Sequence, residues 1–192
     1  MRLFFGLERV LIAILWLAWA AYWIAAARRT AANRRTESLL TGASYRIPLL
    51  IGIILMVSSN LPLREMEFVL WPLNPFILGT ADILTIAGLS LAVWARLHLG
   101  KYWSGRITIK EGHRVIQTGP YALVRHPIYS GLIVALLGTV ISLGTVQAFF
   151  GFAFIFVSFL RKFTLEEIWL QSHFGSEYEL YQQRVGALIP HP

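Results

Sequence analysis

The stretch Ile128–Phe163, IYSGLIVALLGTVISLGTVQAFFGFAFIFVSFLRKF, runs for 36 residues with no charge before Arg161. About 20 apolar residues carry a helix across a bilayer, so one helix of this length would overrun the hydrocarbon. Ser142-Leu143-Gly144 in its middle offers a turn. The stretch therefore reads as two short spans, each arm about 15 to 18 residues, joined tightly. Outward from it, Phe76–Leu99 forms a span with Asp82 near its outer end, and Ile47–Leu63 forms another. Phe4–Ala27 is apolar apart from Glu8 and Arg9. Ala25-Ala26-Ala27 imitates a signal-peptide cleavage site, but the stretch is too long for such a segment and its basic cluster lies on the wrong side. The expected fold is an all-α integral membrane protein with about five transmembrane helices.

Composition agrees. The 192 residues are 56% hydrophobic and 14% charged, with a mean hydropathy of +0.60, whereas soluble domains carry about 25% charged residues. Seventeen Lys+Arg against ten Asp+Glu give +7. In a soluble chain that excess would point to nucleic acid; here it points to a membrane, and no nucleic-acid partner is expected. The absence of cysteine removes disulfides, thiolate metal sites and a cysteine nucleophile. Basic residues collect in three places: Arg28, Arg29, Arg34, Arg35 and Arg46; then Arg96, Lys101, Arg106, Lys110, Arg114 and Arg125; then Arg161, Lys162 and Arg184. Only Arg2, Arg9 and Arg64 face the other side. The positive-inside rule puts the N-terminus outside and the C-terminus with both long loops in the cytoplasm.

No internal repeat divides the chain, so residues 1–192 read as one membrane domain. Residues 1–97 hold three spans that serve mainly as scaffold, while 98–192 hold the helical hairpin and the cytoplasmic segments with all five histidines. Pro127 suits the first position of a helix, where its missing N–H costs nothing. The helix start there, beside Arg125 and His126, is a ready anion site; an interfacial anchor and a cap are the plain structural reading of the same two residues. Lys162 and Glu166 lie four apart on one helix face. Gly175 ends that helix, and Ser176 with Glu179 forms a capping pattern for another. Asp82, close to a helix end, is expected to be a solvated cap. There is no Rossmann glycine fingerprint, P-loop or H-E-x-x-H, and the histidine spacings suit no metal.

Taken as an ordered series, His113-Arg114-Val115-Ile116, Gly119, Tyr121, Arg125-His126-Pro127, Tyr129, Glu166-Glu167 and Phe174-Gly175-x-Glu177-Tyr178-x-x-Tyr181-x-x-Arg184-Val185 resemble the isoprenylcysteine carboxyl methyltransferase family. That family stands within a wider group including membrane phospholipid methyltransferases. The resemblance covers His98–Pro192. It implies a helical membrane enzyme that uses S-adenosyl-L-methionine, releases S-adenosylhomocysteine, and acts on a lipophilic or lipidated acceptor among membrane lipids. It assigns His113, Arg114, Val115, Ile116, Tyr121, His126, Pro127, Ile128, Tyr129 and Glu166 to the cofactor. His126 and the helix start would hold its polar groups, Glu166 its cationic or hydroxyl-bearing part, and Tyr121 or Tyr129 its adenosine. The family's substrate-side arginine falls on Lys162, which keeps the charge without the planar two-pronged grip on a carboxylate. Arg161 would substitute if the helix is rotated. Other readings are N-methylation of an amine head group, as in phosphatidylethanolamine, and a non-catalytic protein whose basic loops bind anionic lipid or a partner.

Overall fold

The structure, a computed structural model, describes residues 2–28, 30–58 and 68–191, without the side chains of 2–7 and 34. Among the described residues six α-helices follow in order: α1 (Arg2–Ala27), α2 (Leu39–Val57), α3 (Pro75–Leu99), α4 (Pro127–Leu143), α5 (Val146–Phe174) and α6 (Ser176–Arg184). Between them β1 (Asn33–Thr36) pairs antiparallel with β2 (Thr108–Lys110). Among the described residues four helices are long and apolar enough to cross a membrane, and α4 is a shorter apolar helix of 17 residues. Leu17, Ile24, Phe76 and Ile83 are among many large apolar side chains left exposed, as a lipid-facing surface requires.

The ends of the helices follow local chemistry. Asn74 caps α3 by accepting from the Ile77 N–H at 3.0 Å, with Pro75 next in line. Pro127 opens α4, and Gly144 closes it in the left-handed region at φ 63°. Thr145 then caps α5. The expected break in the apolar stretch is thus a turn, and α5 runs past Phe163, as the shared face of Lys162 and Glu166 and the stop at Gly175 predict. It continues unbroken to Phe174, because nothing before Gly175 breaks helical geometry.

Three expectations change. The second span begins at Leu39, eight residues before Ile47, since Ser38 caps it there and the Arg46 charge is absorbed within the helix by Glu37; its expected end, 59–63, lies outside the described residues, as does Arg64. The side chain of Arg2 is likewise not described. Ser176 does not cap α6: it is the first helical residue, Gly175 occupies the cap, and no side-chain cap bond forms. Asp82 is no solvated cap. It sits two turns into α3, half-buried against Glu8 of α1, with one carboxylate oxygen buried and without a hydrogen-bond partner. Glu8 also accepts a hydrogen bond from the Ser142 hydroxyl at 3.2 Å.

The bundle is held by small residues. Ala81, Ala92 and Ala95 of α3 are fully buried against α4, where Gly131 lets the two backbones touch. A Cβ on Gly131 would lie 2.5 Å from the Gly88 carbonyl oxygen and 2.7 Å from the Ala92 nitrogen. Apolar helices in lipid gain little from hydrophobic attraction, so close backbone packing of this kind is what associates them. The α3–α4 pair is consequently the rigid wall from which the starts of α4 and the loops before it are hung.

Candidate active site

A cavity of about 730 Å³ opens between α1, α2, α4, α5 and the segments joining α3 to α4. Along α5 its lining runs from Leu170 to Ile155, about 22 Å at 1.5 Å per residue. One end is polar, with His113, Arg114, Glu166, Tyr178 and Tyr181; the other is apolar, with Trp16, Leu49, Leu132, Leu136 and Ile155. Lys162, Tyr129, Tyr45 and Arg46 stand at the junction. Such a site suits a reaction between a polar donor and an amphiphilic acceptor.

The junction is tightly organised. Glu166 Oε1 accepts from the Tyr129 hydroxyl at 2.9 Å and lies 3.8 Å from Lys162 Nζ. Lys162 donates to the Gly105 carbonyl at 3.0 Å, and its ammonium sits 5.4 Å from the Tyr45 ring and 5.9 Å from the Tyr129 ring. The four-residue spacing does bring Lys162 and Glu166 to one face, as the sequence predicts. Glu167, one position on, turns elsewhere: it accepts from Arg125 Nε at 2.8 Å, from Gln182 at 3.2 Å, and pairs with His126 Nε2 at 3.0 Å. Arg125 also donates to the Gln182 and Val185 carbonyls. Glu167 and Arg125 therefore clamp α6 to the start of α4, and leave Glu166 as the one carboxylate among the residues lining the cavity.

His113, Arg114, Val115, Ile116, Tyr121, His126, Ile128, Tyr129, Lys162 and Glu166 all line this one cavity. Pro127 does not; it is fully buried as the first residue of α4 and acts by fixing the helix start. Arg161 is exposed and off the cavity, since one residue along a helix is a turn of about 100°, so it does not stand in for Lys162. Tyr121 is buried, its hydroxyl donating to the Ala95 carbonyl at 3.4 Å; burial and then the Glu166 charge hold the phenol well above its usual range. Gly119 before it has φ +59° with the His98 ring packed against its Cα, a place only glycine fills.

Four polar atoms of cavity-lining residues lack partners: Trp19 Nε1, Thr108 Oγ1, His113 Nδ1 and the Tyr178 hydroxyl. His113 Nδ1 and the Tyr178 hydroxyl are buried without a hydrogen bond, a costly state that a ligand's polar groups would relieve. The His113 ring lies flat on Tyr102 at 5.4 Å and meets Phe174 edge-on at 5.5 Å. Burial first, then the charges of His173 and Lys110, push its pKa down to about 4. The folded value lies below the unfolded one, near 6.5, so acid protonates the unfolded chain preferentially. The stability contributed by neutral His113 is complete above pH 6.5 and is lost as the pH falls toward 4. Melting temperatures measured from pH 7 to 4 should therefore decline more steeply for the wild type than for His113→Asn; parallel curves would contradict this assignment.

Sequence reasoning missed the walls given by the first half of the chain. Trp16, Trp19 and Trp23 of α1 and Tyr45, Arg46 and Leu49 of α2 line the cavity. Trp19 stacks on Trp23 at 4.7 Å, and Trp16 donates to Thr139 Oγ1 at 2.9 Å. The one available signal was three tryptophans at helical spacing of three and four, which reads equally as a lipid-facing stripe.

Against known proteins, residues 81–172 match the isoprenylcysteine carboxyl methyltransferase (ICMT) family. Protein-S-isoprenylcysteine O-methyltransferase B of Arabidopsis thaliana is 28% identical over 187 residues, 96% of this chain and 92% of that one. The protein-S-isoprenylcysteine O-methyltransferase of Schizosaccharomyces pombe is 28% identical over 163 residues, covering 79% of this chain and 69% of its own. The uncharacterized protein YpbQ of Bacillus subtilis is 36% identical over 59 residues, 28% of this chain and 35% of that protein. With four span-length apolar helices, these likenesses define the class: a multi-pass membrane methyltransferase. The alignments with the plant relative extend through α1 and α2, beyond the family match. The chain is thus similar to the isoprenylcysteine carboxyl methyltransferase family over residues 81–172, and to proteins named protein-S-isoprenylcysteine O-methyltransferase over most of its length.

Proposed function

We propose that the chain methylates the carboxylate of a lipophilic acceptor, a prenylated cysteine above all, with S-adenosyl-L-methionine as donor. The observation that carries this reading is the position of Glu166 and Lys162, where the polar and apolar ends of one cavity meet. The unpartnered His113 Nδ1 and Tyr178 hydroxyl, with Glu166, suit a ligand bearing an adenine, hydroxyls and an ammonium. When bound, the donor supplies an electrophilic methyl on a sulfonium. Displacement there needs alignment and exclusion of water rather than a covalent nucleophile.

The chain's own residues would divide that work. Glu166 offers the negative charge that matches a cationic donor, held in place by Tyr129. Lys162 offers the positive charge that orients an anionic acceptor, itself fixed by Gly105 and the two tyrosine rings. Arg46 and Arg106 line the same end of the cavity. Lys162, Arg46 and Arg106 outweigh the single Glu37 carboxylate beside the two arginines, and this positive excess favours a carboxylate over the amine of phosphatidylethanolamine. The trough between α1, α2 and α4 would take the prenyl chain, and the basic loops would place this end of the bundle in the cytoplasm.

Methyl transfer from labelled donor to a prenylcysteine and to phosphatidylethanolamine, measured side by side in lipid nanodiscs, tests the reading. Labelling of the prenylcysteine alone is expected; labelling of the amine lipid alone would overturn it. Lys162→Ala is expected to lower kcat/KM for the carboxylate about 10- to 100-fold, the loss of one charge-assisted hydrogen bond, with the affinity for S-adenosylhomocysteine unchanged. Lys162→Arg should retain activity.

A further inference from the structure

On the same face of the bundle, outside the large cavity, lies a second pocket of about 360 Å³ between the ends of α1 and α3. Its lining includes Tyr22, Ala26, Arg96, Leu97 and Lys101. Arg96 is 3% exposed. It donates to the Gly100 carbonyl at 2.7 Å and to the Ala26 carbonyl at 2.8 Å, and its guanidinium lies 4.5 Å from the centre of the Trp103 ring. Its Nε–H, also buried, has no acceptor. Behind it Lys110, 4% exposed, donates to the Ala31 carbonyl at 2.7 Å. Burial, and then the charge of Arg96, hold this ammonium below its usual range.

Buried cations are normally paired with anions. Among the described residues, none of Arg96, Lys101 and Lys110 lies within ion-pair distance of a carboxylate. The nearest negative partners are the C-terminal ends of α1 and α3, each worth about half a charge. About one negative charge thus faces three positive ones; two of the three, Arg96 and Lys110, are withdrawn from water, while Lys101 stands exposed at the rim. The pocket's surroundings are apolar: Leu97 on its rim and Ile24 nearby on α1 are 64% and 66% exposed. Helix ends of this kind lie at the depth of the lipid head groups, where basic pockets between spans collect anionic lipids.

We infer that this pocket binds the phosphate of an anionic membrane phospholipid, one without a compensating amine, held by Arg96 and Lys101 with the Tyr22 hydroxyl, its acyl chains lying along Leu97 and α1. The phosphate supplies the missing charge and the acceptor that Arg96 Nε lacks. It also ties α1 to α3 at the end where α1 presents Trp23 to the large cavity. The inference does not depend on the identity of the methyl acceptor.

The test uses the full chain in nanodiscs of phosphatidylcholine, with and without phosphatidylglycerol, followed by native mass spectrometry and thermal melting. Wild-type protein should retain phosphatidylglycerol at least tenfold over phosphatidylcholine and melt several degrees higher when it is present. Arg96→Gln should abolish that preference. Because Arg96 is buried, so that its replacement also tests folding, Lys101→Gln is the second probe: exposed, it should fold normally and weaken retention about threefold. A third arm adds inorganic phosphate to the phosphatidylcholine discs, where no stabilisation is expected. Equal retention of the two lipids, or a preference untouched by Lys101→Gln, would overturn the site. Stabilisation by inorganic phosphate equal to that by the lipid would overturn the lipid as its occupant.

Discussion

Glu166→Ala is expected to weaken S-adenosylhomocysteine binding about 100-fold or more while leaving the melting temperature within a few degrees of wild type. Among the described residues Glu166 is the one carboxylate on the cavity wall, beside cations that include Arg46, Arg106, Arg114, Arg125 and Lys162. Its removal withdraws a charge-assisted hydrogen bond worth about 1.5–3 kcal/mol. It also strands the Tyr129 hydroxyl, which donates to it, and leaves Lys162 without a counter-charge. Glu166→Gln separates the contributions. The amide keeps an oxygen for Tyr129 but loses the charge, so it should harm binding of the sulfonium donor more than binding of its neutral thioether product. Calorimetric titration with both ligands reads the two effects directly. Undiminished affinity in the alanine variant would remove Glu166 from the donor site.

Gly131→Leu is expected to destabilise the protein by about 1–3 kcal/mol or more through overpacking, a drop in melting temperature of roughly 3–10 °C for a chain of this size. The atoms in the way are the Gly88 carbonyl oxygen and the Ala92 nitrogen, both backbone, so no side chain can swing aside. α3 and α4 must part. Tyr129, two residues before Gly131, would move with its helix away from Glu166, so donor affinity should fall with stability. Gly79→Ala provides the contrast. It lies in α3 with nothing within 4 Å of its would-be Cβ, and an interior helical glycine replaced by alanine gains up to about 1 kcal/mol. Equal melting temperatures for the two variants would show that the α3–α4 contact is not as close as described.

The sequence reveals elements whose causes are local. Pro127 marks the start of α4, Gly144 the turn before α5, and Gly175 its end, because each depends on the backbone habits of one residue. The spacing of Lys162 and Glu166 shows that they meet, since four residues is one helical turn. What depends on partners distant in the chain is hidden. Arg46 reads as a loop residue because a charge marks the limit of an apolar run, yet Glu37 and Tyr45 let it sit inside α2. Asp82 reads as a helix end until Glu8, far away in sequence, is seen beside it. The tryptophans of α1 look like a face turned to lipid, and only the assembled bundle shows part of that face closing a cavity. Glu166 and Glu167 look interchangeable; which one faces the cavity is decided by Arg125, His126 and α6 together.

The length of α5 has a mechanical consequence. Its 29 residues make a rod of about 44 Å, far longer than the roughly 30 Å hydrocarbon layer, whereas the 17 residues of α4 span only about 26 Å. Lys162 and Glu166 thus ride on a cantilever anchored in lipid, and Tyr129 on a strut too short to tilt with it. A thicker or thinner bilayer changes the lean of the long rod against the short strut, and the 2.9 Å bond between Tyr129 and Glu166 is where that lean is felt. The membrane is therefore a setting on the protein as well as its surroundings: acyl-chain length bears on how the two sides of the Tyr129–Glu166 junction meet.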